Sequence, residues 1–330
     1  MIVIYFIRNL KELLFLYGSP FSYPLFRKGS IFMYDIIIIG AGPAGISAGI
    51  YAVSRGKKTV IIEKNAVGGI IGKVSTVTHY SAIVPGETGA TFAKRMERQA
   101  LEAGVEIIYE NVEKVTLEGD IKTVTTSRNH YEAPKIILAN GTTPRTLGIP
   151  GEAELSGKGI GLNAAKDGPS YKGKNIYVVG GADGAVKEAL YLSQFAKELT
   201  IIHFEDTLGC VPEFLNKVRQ TDNIKVCLAS RLNKVYGKNH VEKLEILNEK
   251  NGTINVIEDD GCGIFVYAGA DPNTELYTEL KLDNGYIPVN EKMETSIPGV
   301  YAAGDIRVKQ VRQAATAVAD GAVAAINAAM

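Results

Sequence analysis

The sequence predicts an α/β protein built from two Rossmann-like dinucleotide-binding domains. An apolar strand, a glycine-rich turn and a helix follow one another near residue 36, and the same order returns near residue 176. A third apolar strand, near residue 300, ends in a carboxylate and precedes an alanine-rich helix. Alternation of buried strands with helices is typical of parallel sheets covered by helices.

The composition is that of an ordinary globular protein. The 330 residues suffice for two or three domains, with 46% hydrophobic and 22% charged residues. Lys plus Arg number 36, as do Asp plus Glu, and the zero net charge argues against a nucleic-acid-binding protein. Cys210, Cys227 and Cys262 are too few for a disulfide framework, so we expect partly buried, inert thiols in a reducing cytoplasm. No metal site is predicted.

Residues 1–32 form an extension ahead of the first predicted strand. Its two apolar runs are separated by Arg8, Lys11 and Glu12, and neither reaches the roughly 18 residues of a membrane-spanning helix. A secretory signal carries its positive charge before the apolar run, whereas Arg8 follows it. Two interpretations stay open. In the first, the extension is a loosely held tail or results from an upstream start codon, and Met33 is the functional beginning. In the second, it is a short amphipathic anchor for a membrane surface or a partner.

Residues 35–63 predict the first nucleotide-binding unit. Four consecutive isoleucines, residues 36–39, are typical of a parallel strand buried on both faces. Three glycines follow this strand. Gly40 permits a tight turn, Gly42 lets the backbone approach a pyrophosphate, and Gly45 lets the helix pack on the sheet. The following helix has one apolar stripe, formed by Ile46, Ile50 and Val53. Glu63 ends the second strand, where a carboxylate accepts hydrogen bonds from a ribose.

A second unit begins at Asn175. Its turn starts at Gly180, but Ala182 replaces the middle glycine and places a methyl group where a pyrophosphate would come closest. Its helical stripe is predicted from Ala185, Ala189, Leu192 and Ala196, and Glu205 follows in the segment after the second strand. Two such units imply either two bound dinucleotides, or one functional nucleotide site beside one that no longer binds a nucleotide.

A third signature lies near the C-terminus. The apolar strand from Gly299 ends at Asp305, whose carboxylate is suited to hold a polyhydroxyl chain. Arg312, Gln313 and Ala314 then open a helix, whose N-terminus favours negative charge on a group facing it. A reduced flavin ring is anionic and suits this arrangement.

From Tyr34 to Ala325 these motifs resemble the low-molecular-weight thioredoxin reductases, FAD-dependent pyridine nucleotide-disulfide oxidoreductases of class II. The shared motifs are Gly-Ala-Gly-Pro-Ala-Gly, Gly68-Gly69, Ala-Asn-Gly at 139–141, Gly-Ala-Asp-Pro-Asn-Thr at 269–274 and Thr-Ser-Ile-Pro-Gly-Val-Tyr-Ala-Ala-Gly-Asp at 295–305. The resemblance implies an FAD domain of residues 33–147 and 269–330, with an NAD(P)-binding-like domain, residues 148–268, inserted into it. Both have the three-layer ββα build. In that family the inserted domain rotates on two linkers, presenting first NADPH and then a dithiol to the flavin.

The resemblance also implies a homodimer and a set of FAD contacts. These are Gly40, Gly42, Pro43, Ala44, Gly45, Glu63, Lys64, Gly69, His79, Gly141, Asp305, Arg312, Gln313 and Ala314. His79 stands at the position of a family asparagine beside the flavin. It is a candidate donor to a ring atom, with a purely structural histidine as the alternative.

The redox dithiol of the family is missing. Where members carry Cys-x-x-Cys followed by Asp-Gly, this chain has Asn163-Ala-Ala-Lys166-Asp167-Gly. Thiol–disulfide exchange needs an attacking thiolate and a resolving thiol, and neither is present here. Lys166 takes the flavin-proximal position, where an ammonium would stabilise anionic reduced flavin, or else it is a solvated surface lysine. Asp167 either keeps a catalytic part or only caps the loop.

The arginines with which NADPH-dependent members hold the 2′-phosphate are also missing. Phe204-Glu205-Asp206 stand there, and two carboxylates would repel a phosphate dianion. NADPH is therefore disfavoured. Candidate NADH contacts are Gly180, Ala182, Asp183 and Glu205; the alternative is that this unit binds no pyridine nucleotide.

These departures predict an FAD-containing oxidoreductase without its own dithiol. NADH or a one-electron carrier such as ferredoxin would reduce its flavin, and the electron acceptor stays open. Two alternatives remain: a thioredoxin-disulfide reductase by homology, and a non-catalytic FAD-binding redox sensor.

Overall fold

The structure, a computed structural model, describes residues 31–330. The α-helices are α1 Pro43–Val53, α2 Gly89–Glu102, α3 Glu152–Leu155, α4 Ala164–Asp167, α5 Asp183–Ser193, α6 Pro212–Arg219 and α7 Ala314–Ala328. The strands are β1 Ile31–Met33, β2 Ile36–Ile39, β3 Thr59–Glu63, β4 Glu106–Tyr109, β5 Val112–Thr116, β6 Lys122–Thr126, β7 His130–Ala133, β8 Lys135–Leu138, β9 Thr142–Pro144, β10 Ile176–Val179, β11 Leu199–Ile202, β12 Ile224–Cys227, β13 Ser230–Tyr236, β14 Lys243–Asn248, β15 Ile254–Glu258, β16 Gly263–Val266, β17 Ala270–Pro272 and β18 Val300–Ala302. None of the helices described here is long and apolar enough to cross a membrane.

A five-stranded parallel sheet forms the centre of the first domain. Its order is β18-β8-β2-β3-β4, so a strand from the end of the chain pairs beside strands from its beginning. All four residues of β2 are buried, as their unbroken apolar run predicts. The last 30 residues therefore complete the domain that the first unit begins.

Helices α1 and α7 pack side by side on one face of this sheet. A Cβ at Gly321 of α7 would overlap the carbonyl oxygen of Ala44 in α1, so only glycine allows this approach. In the predicted stripe of α1, Ile46 is fully buried, while Ile50 and Val53 are half-buried against the same core. A second sheet, of order β1-β7-β6-β5, covers the opposite face and encloses the second part of the core. The domain thus has the predicted three layers.

Strand β1 corrects the predicted limit of the N-terminal extension. It pairs in parallel with β7, and the Phe32 ring stacks on the Tyr131 ring at 5.6 Å between centroids. Ile31 and Phe32 thus belong to the first domain because their backbone and one aromatic side chain extend its outer sheet. The remaining extension, residues 1–30, lies outside the described residues.

The second domain repeats the three layers. Its parallel sheet has the order β12-β11-β10-β16, with α5 and α6 on one face and the antiparallel sheet β13-β14-β15 on the other. Ala185, Ala189 and Leu192 are buried in α5 as predicted. Ala196 lies beyond the end of α5, which stops at Ser193, so its place in the helical stripe was wrong. The two chain crossings, β9 and β17, pair with each other antiparallel. The prediction of two Rossmann-like domains in an α/β fold is confirmed.

Candidate functional site

The first glycine-rich turn leaves an open cradle at the N-terminus of α1. A Cβ at Gly45 would overlap the carbonyl oxygen of Gly40, whereas a Cβ at Gly42 would meet no atom within 4 Å. Gly45 therefore serves close packing, and Gly42 faces free space, as a site for a pyrophosphate requires. Pro43 and Ala44 are the first two residues of α1, and Gly69 borders the cradle, its Cβ position lying 3.5 Å from the Cα of Gly42.

Glu63 is fixed at the end of β3 by the turn itself. Its two carboxylate oxygens accept the backbone N–H groups of Ala41 and Asn65, both at 2.9 Å. These bonds hold the carboxylate beside the glycine-rich turn, where a ribose hydroxyl would reach it. Lys64 follows and is exposed, and Gly141, with φ +61°, lies in the turn after β8.

Asp305 carries one of the buried polar oxygens that lack a partner among the described residues. Its Oδ1 atom is buried and has no hydrogen-bond partner among the described residues. Burial raises the pKa of the Asp305 carboxyl, although Lys309 and Arg312 oppose the rise. A buried acceptor without a donor costs free energy, and a ribitol chain would supply hydroxyl donors there. This orphaned oxygen and the cradle at Gly42 fit FAD.

The predicted helix start near Asp305 is well formed. Gln313 caps α7 together with Thr316, and α7 begins at Ala314. The Arg312 guanidinium lies 4.1 Å from the centroid of the Tyr286 ring, which holds this cation beside the helix N-terminus. When bound, FAD supplies the electron-accepting ring, and these residues would hold and orient it.

His79 points toward the inserted domain. Its ring stacks on Phe214 of α6, with centroids 5.6 Å apart. The ring thus has a structural contact between the two domains. The sequence did not indicate it because Phe214 lies 135 residues further along the chain.

The loop at residues 163–167, where the resembling family carries its dithiol, is held by hydrogen bonds to its own side chains. Asn163 caps α4, since its Oδ1 accepts the backbone N–H of Lys166 at 2.9 Å. Asp167 Oδ2 in turn accepts the backbone N–H of Asn163 at 2.8 Å. Asp167 therefore performs the loop-capping function, and Lys166 is exposed.

The second glycine-rich turn keeps the shape of the first. The middle residues Gly42 and Ala182 have nearly the same backbone angles, φ −72°, ψ −178° and φ −81°, ψ 172°. A Cβ at Gly180 would lie 2.5 Å from the carbonyl oxygen of Tyr267, just as one at Gly40 would lie 2.6 Å from that of Ala139. Ala182 thus adds a methyl group without changing the turn. Asp183, the first residue of α5, accepts the N–H of Val211 at 2.7 Å.

The loop after β11 is acidic, and the cations that reach it are paired. Lys250 lies 2.7 Å from Asp206, and Arg231 lies 2.6 Å from Glu249 while covering the Phe204 ring at 4.6 Å. Glu205, 3.1 Å from His203 Nε2, keeps 55% of its side chain exposed. A carboxylate in this place suits a ribose diol and opposes a 2′-phosphate.

The three cysteines of the chain are free thiols. Cys210 and Cys227 are half-buried and Cys262 is buried. Burial raises the pKa of Cys262 to about 12 and also raises that of Cys210. Because the thiolate is the reactive form, both groups are poor nucleophiles.

Comparisons with known proteins agree with this geometry. The family model of pyridine nucleotide-disulphide oxidoreductases matches residues 34–321. Thioredoxin reductase of Peptoclostridium litorale is 38% identical over 302 residues, covering 90% of this chain and 96% of the relative. Lactococcus lactis thioredoxin reductase (FR conformation) superposes with TM-score 0.86 at 34% identity, covering 89% of this chain and 97% of that one. A ferredoxin-flavin thioredoxin reductase from Clostridium acetobutylicum gives TM-score 0.50 at 31% identity, covering 91% and 98%. This chain therefore belongs to the pyridine nucleotide-disulphide oxidoreductase family, as an FAD-dependent oxidoreductase of thioredoxin-reductase type.

Proposed function

We propose that this oxidoreductase works without a redox dithiol of its own, and that NADH or ferredoxin reduces its flavin. The observation that carries the proposal is the α4 loop, where Asn163 and Lys166 occupy both cysteine positions of the resembling family. Asn163 serves there as a helix cap, a function that needs no thiol. The electrons must then leave the flavin for an external acceptor.

Two features support NADH rather than NADPH as a donor. The turn at Ala182 keeps the backbone shape of the FAD turn, so the N-terminus of α5 stays available to a pyrophosphate. In the loop after β11, Glu205 is exposed and offers acceptors to a ribose diol. The same carboxylate, with Asp206 beside it, repels the additional phosphate of NADPH.

Ferredoxin is the second donor that we propose. The support is the ferredoxin-flavin thioredoxin reductase, which covers 91% of this chain at 31% identity. A flavin accepts single electrons, so a one-electron protein carrier needs no second nucleotide site.

An anaerobic titration of the purified holoprotein separates these donors. NADH, NADPH and chemically reduced ferredoxin are added in separate runs while the visible absorption of the flavin is followed. Fast bleaching by NADH supports a live second unit, and bleaching by ferredoxin alone makes that unit a relic. Bleaching by NADPH as fast as by NADH contradicts the proposed selectivity. If none of the three bleaches the flavin, the redox-sensor alternative replaces the enzyme.

The variant Glu205→Ala tests nucleotide selection. We expect NADH to bind about fivefold to tenfold more weakly, because the ribose diol loses a charged acceptor. NADPH should bind no worse. The matched control is Glu213→Ala, which removes an exposed carboxylate of α6 paired with Lys217. Equal losses in both variants would show a general charge effect and would contradict a specific role for Glu205.

Thioredoxin-disulfide reduction is the second candidate, and the 38% identity to a thioredoxin reductase favours it. The wild type should give no turnover with oxidised thioredoxin, since the chain has no Cys-x-x-Cys. Measurable turnover with any donor in the titration would overturn the dithiol-free proposal.

We further propose a homodimer working in a reducing cytoplasm. The resemblance to dimeric relatives supports the assembly, and three unpaired thiols suit a reducing compartment. Sedimentation equilibrium of the holoprotein checks the first point, and a monomer at micromolar concentration would contradict it.

A further inference from the structure

Residues 73–79 of the FAD domain form a segment, here called the seam, that lies against the inserted domain. Three of its contacts involve its backbone, and a fourth is the stacking of His79 on Phe214. The backbone contacts go to Asn163 beside α4 and to two consecutive residues of α5. The seam thus meets three helices of the inserted domain at once.

Two of these contacts join a side chain of the inserted domain to a carbonyl oxygen of the seam. Asn163 Nδ2 donates to Lys73 at 3.1 Å, and Lys187 Nζ donates to Thr76 at 2.9 Å. Asn163 uses its oxygen to cap α4 and its nitrogen to reach the FAD domain. A cysteine at position 163 would offer neither an amide donor nor a comparable acceptor.

The third contact buries a charge. The backbone N–H of Ser75 donates to Glu188 Oε1 at 3.2 Å, and both residues are only 3% exposed. Glu188 Oε2 and the Ser75 hydroxyl have no hydrogen-bond partner within the described residues. Lys187 Nζ, 3.5 Å from Glu188 Oε1, is the cation nearest to this carboxylate.

These contacts oppose one another energetically. The hydrogen bonds of Asn163 and Lys187 favour contact between the domains, whereas burial of an incompletely bonded carboxylate disfavours it. Separation of the seam would hydrate Glu188 and both orphaned oxygens. The closed arrangement of the two domains is therefore only moderately stable relative to the open one.

We propose that Asn163, Lys187 and Glu188 form a latch that holds the seam on the inserted domain, with buried Glu188 setting how readily the latch opens. Asn163 and Lys187 hold it closed, and Glu188 keeps the closed state only moderately stable. The latch affects the movement of the two domains. The proposal applies whether NADH or ferredoxin reduces the flavin.

Residue-resolved hydrogen exchange of the holoprotein tests the latch. The Ser75 amide reports on it because its acceptor is Glu188 in the other domain. The Val77 amide is an internal reference, since it donates to Glu87 at 2.9 Å within the FAD domain. Opening of the seam exposes the first amide and leaves the second protected.

Lys187→Met removes both the bond to Thr76 and the cation beside Glu188. We expect exchange at Ser75 to rise about fivefold or more, with Val77 unchanged. Lys225→Met is the matched control, because this exposed lysine of β12 pairs with Glu198 within the inserted domain. It should leave both amides unchanged.

The variant Glu188→Gln should change hydrogen exchange at Ser75 in the opposite direction. The amide oxygen still accepts from Ser75, and the neutral side chain removes the cost of a buried charge, so Ser75 exchange should slow by about fivefold. The double variant should lie between the two single variants. Unchanged Ser75 exchange in both single variants, or parallel changes at Ser75 and Val77, would overturn the latch.

Discussion

Asp305 and Asp320 are two acidic residues near the FAD cradle with opposite environments. Asp305 has a buried oxygen without a partner in the described part of the chain, whereas Asp320 accepts from Arg307, Lys309 and the backbone N–H of Gly304. Burial alone would raise both pKa values, but the two cations lower that of Asp320 below its ordinary value. Asp320 therefore stabilises the polypeptide itself, while Asp305 keeps one buried acceptor that no donor of the described residues reaches.

This contrast predicts how Asp305 affects stability with pH. In the apoprotein its pKa is raised, so the folded chain binds this proton more tightly than the unfolded chain. Stability relative to Asp305→Asn should then fall as the pH rises from the ordinary value of 3.8 through the raised pKa. Urea unfolding of both apoproteins between about pH 4 and about pH 7 measures the difference. Asp283→Asn, at an exposed loop, is the control, and parallel curves for wild type and Asp305→Asn would refute the prediction.

At the scale of single residues, the sequence predicted the chemistry that depends on spacing. Gly42, Glu63 and Asp305 each lie at fixed distances from a recognisable strand, so their surroundings followed from the motif. Glu188 and His79 depend on a contact between domains, and no local pattern indicates which residues meet there. The absence of a Cys-x-x-Cys was visible in the sequence, but the cap that Asn163 provides required the geometry of α4.

At the scale of elements, the close packing of α7 on α1 constrains the cradle. Both helices begin at the proposed FAD site, and their close approach depends on Gly321 facing the backbone of Ala44. A glycine-containing helix start was predicted for α1 from its motif. The small residues of α7 predicted a helix but not its neighbour, because an alanine-rich stripe packs equally well on several surfaces.

The variant Gly321→Ala should therefore destabilise the FAD domain. Its methyl group would overlap the carbonyl oxygen of Ala44 and force α7 away from α1, at a cost of about 3 kcal/mol in the free energy of unfolding. Guanidinium unfolding measures the loss. Gly184→Ala in α5 is the matched control, because a Cβ there meets no atom within 4 Å. A loss in the control as large as in Gly321→Ala would show that the clash is not the cause.

At the scale of the whole molecule, the chain passes between the domains twice, and β9 and β17 pair where it does so. The prediction of an inserted domain rested on motif order, which fixes which segments belong together. It did not reveal the pairing of β9 with β17, since each strand has only three residues and no amphipathic pattern. The contacts of the seam with the inserted domain likewise belong to no one sequence motif.

The crossings carry one ion pair, Arg145 with Asp271, at 2.6 Å. Both side chains are more than half exposed, and such pairs contribute little because solvent screens them. We expect the effects of Arg145→Ala and Asp271→Ala on thermal unfolding to add in the double variant. A clear departure from additivity would mean that this pair, and not the backbone pairing, holds the crossings together.

The strand order of the first sheet has a consequence for biosynthesis. β18 is the edge strand beside β8, and it is translated after every strand of the inserted domain. The nascent inserted domain can therefore close its core on the ribosome while the FAD domain still exposes the apolar edge of β8. Because the proposed FAD site includes the start of α7, we expect flavin capture to follow its synthesis. A chain truncated by translational arrest before residue 300 would then present one folded domain and one aggregation-prone, cofactor-free half.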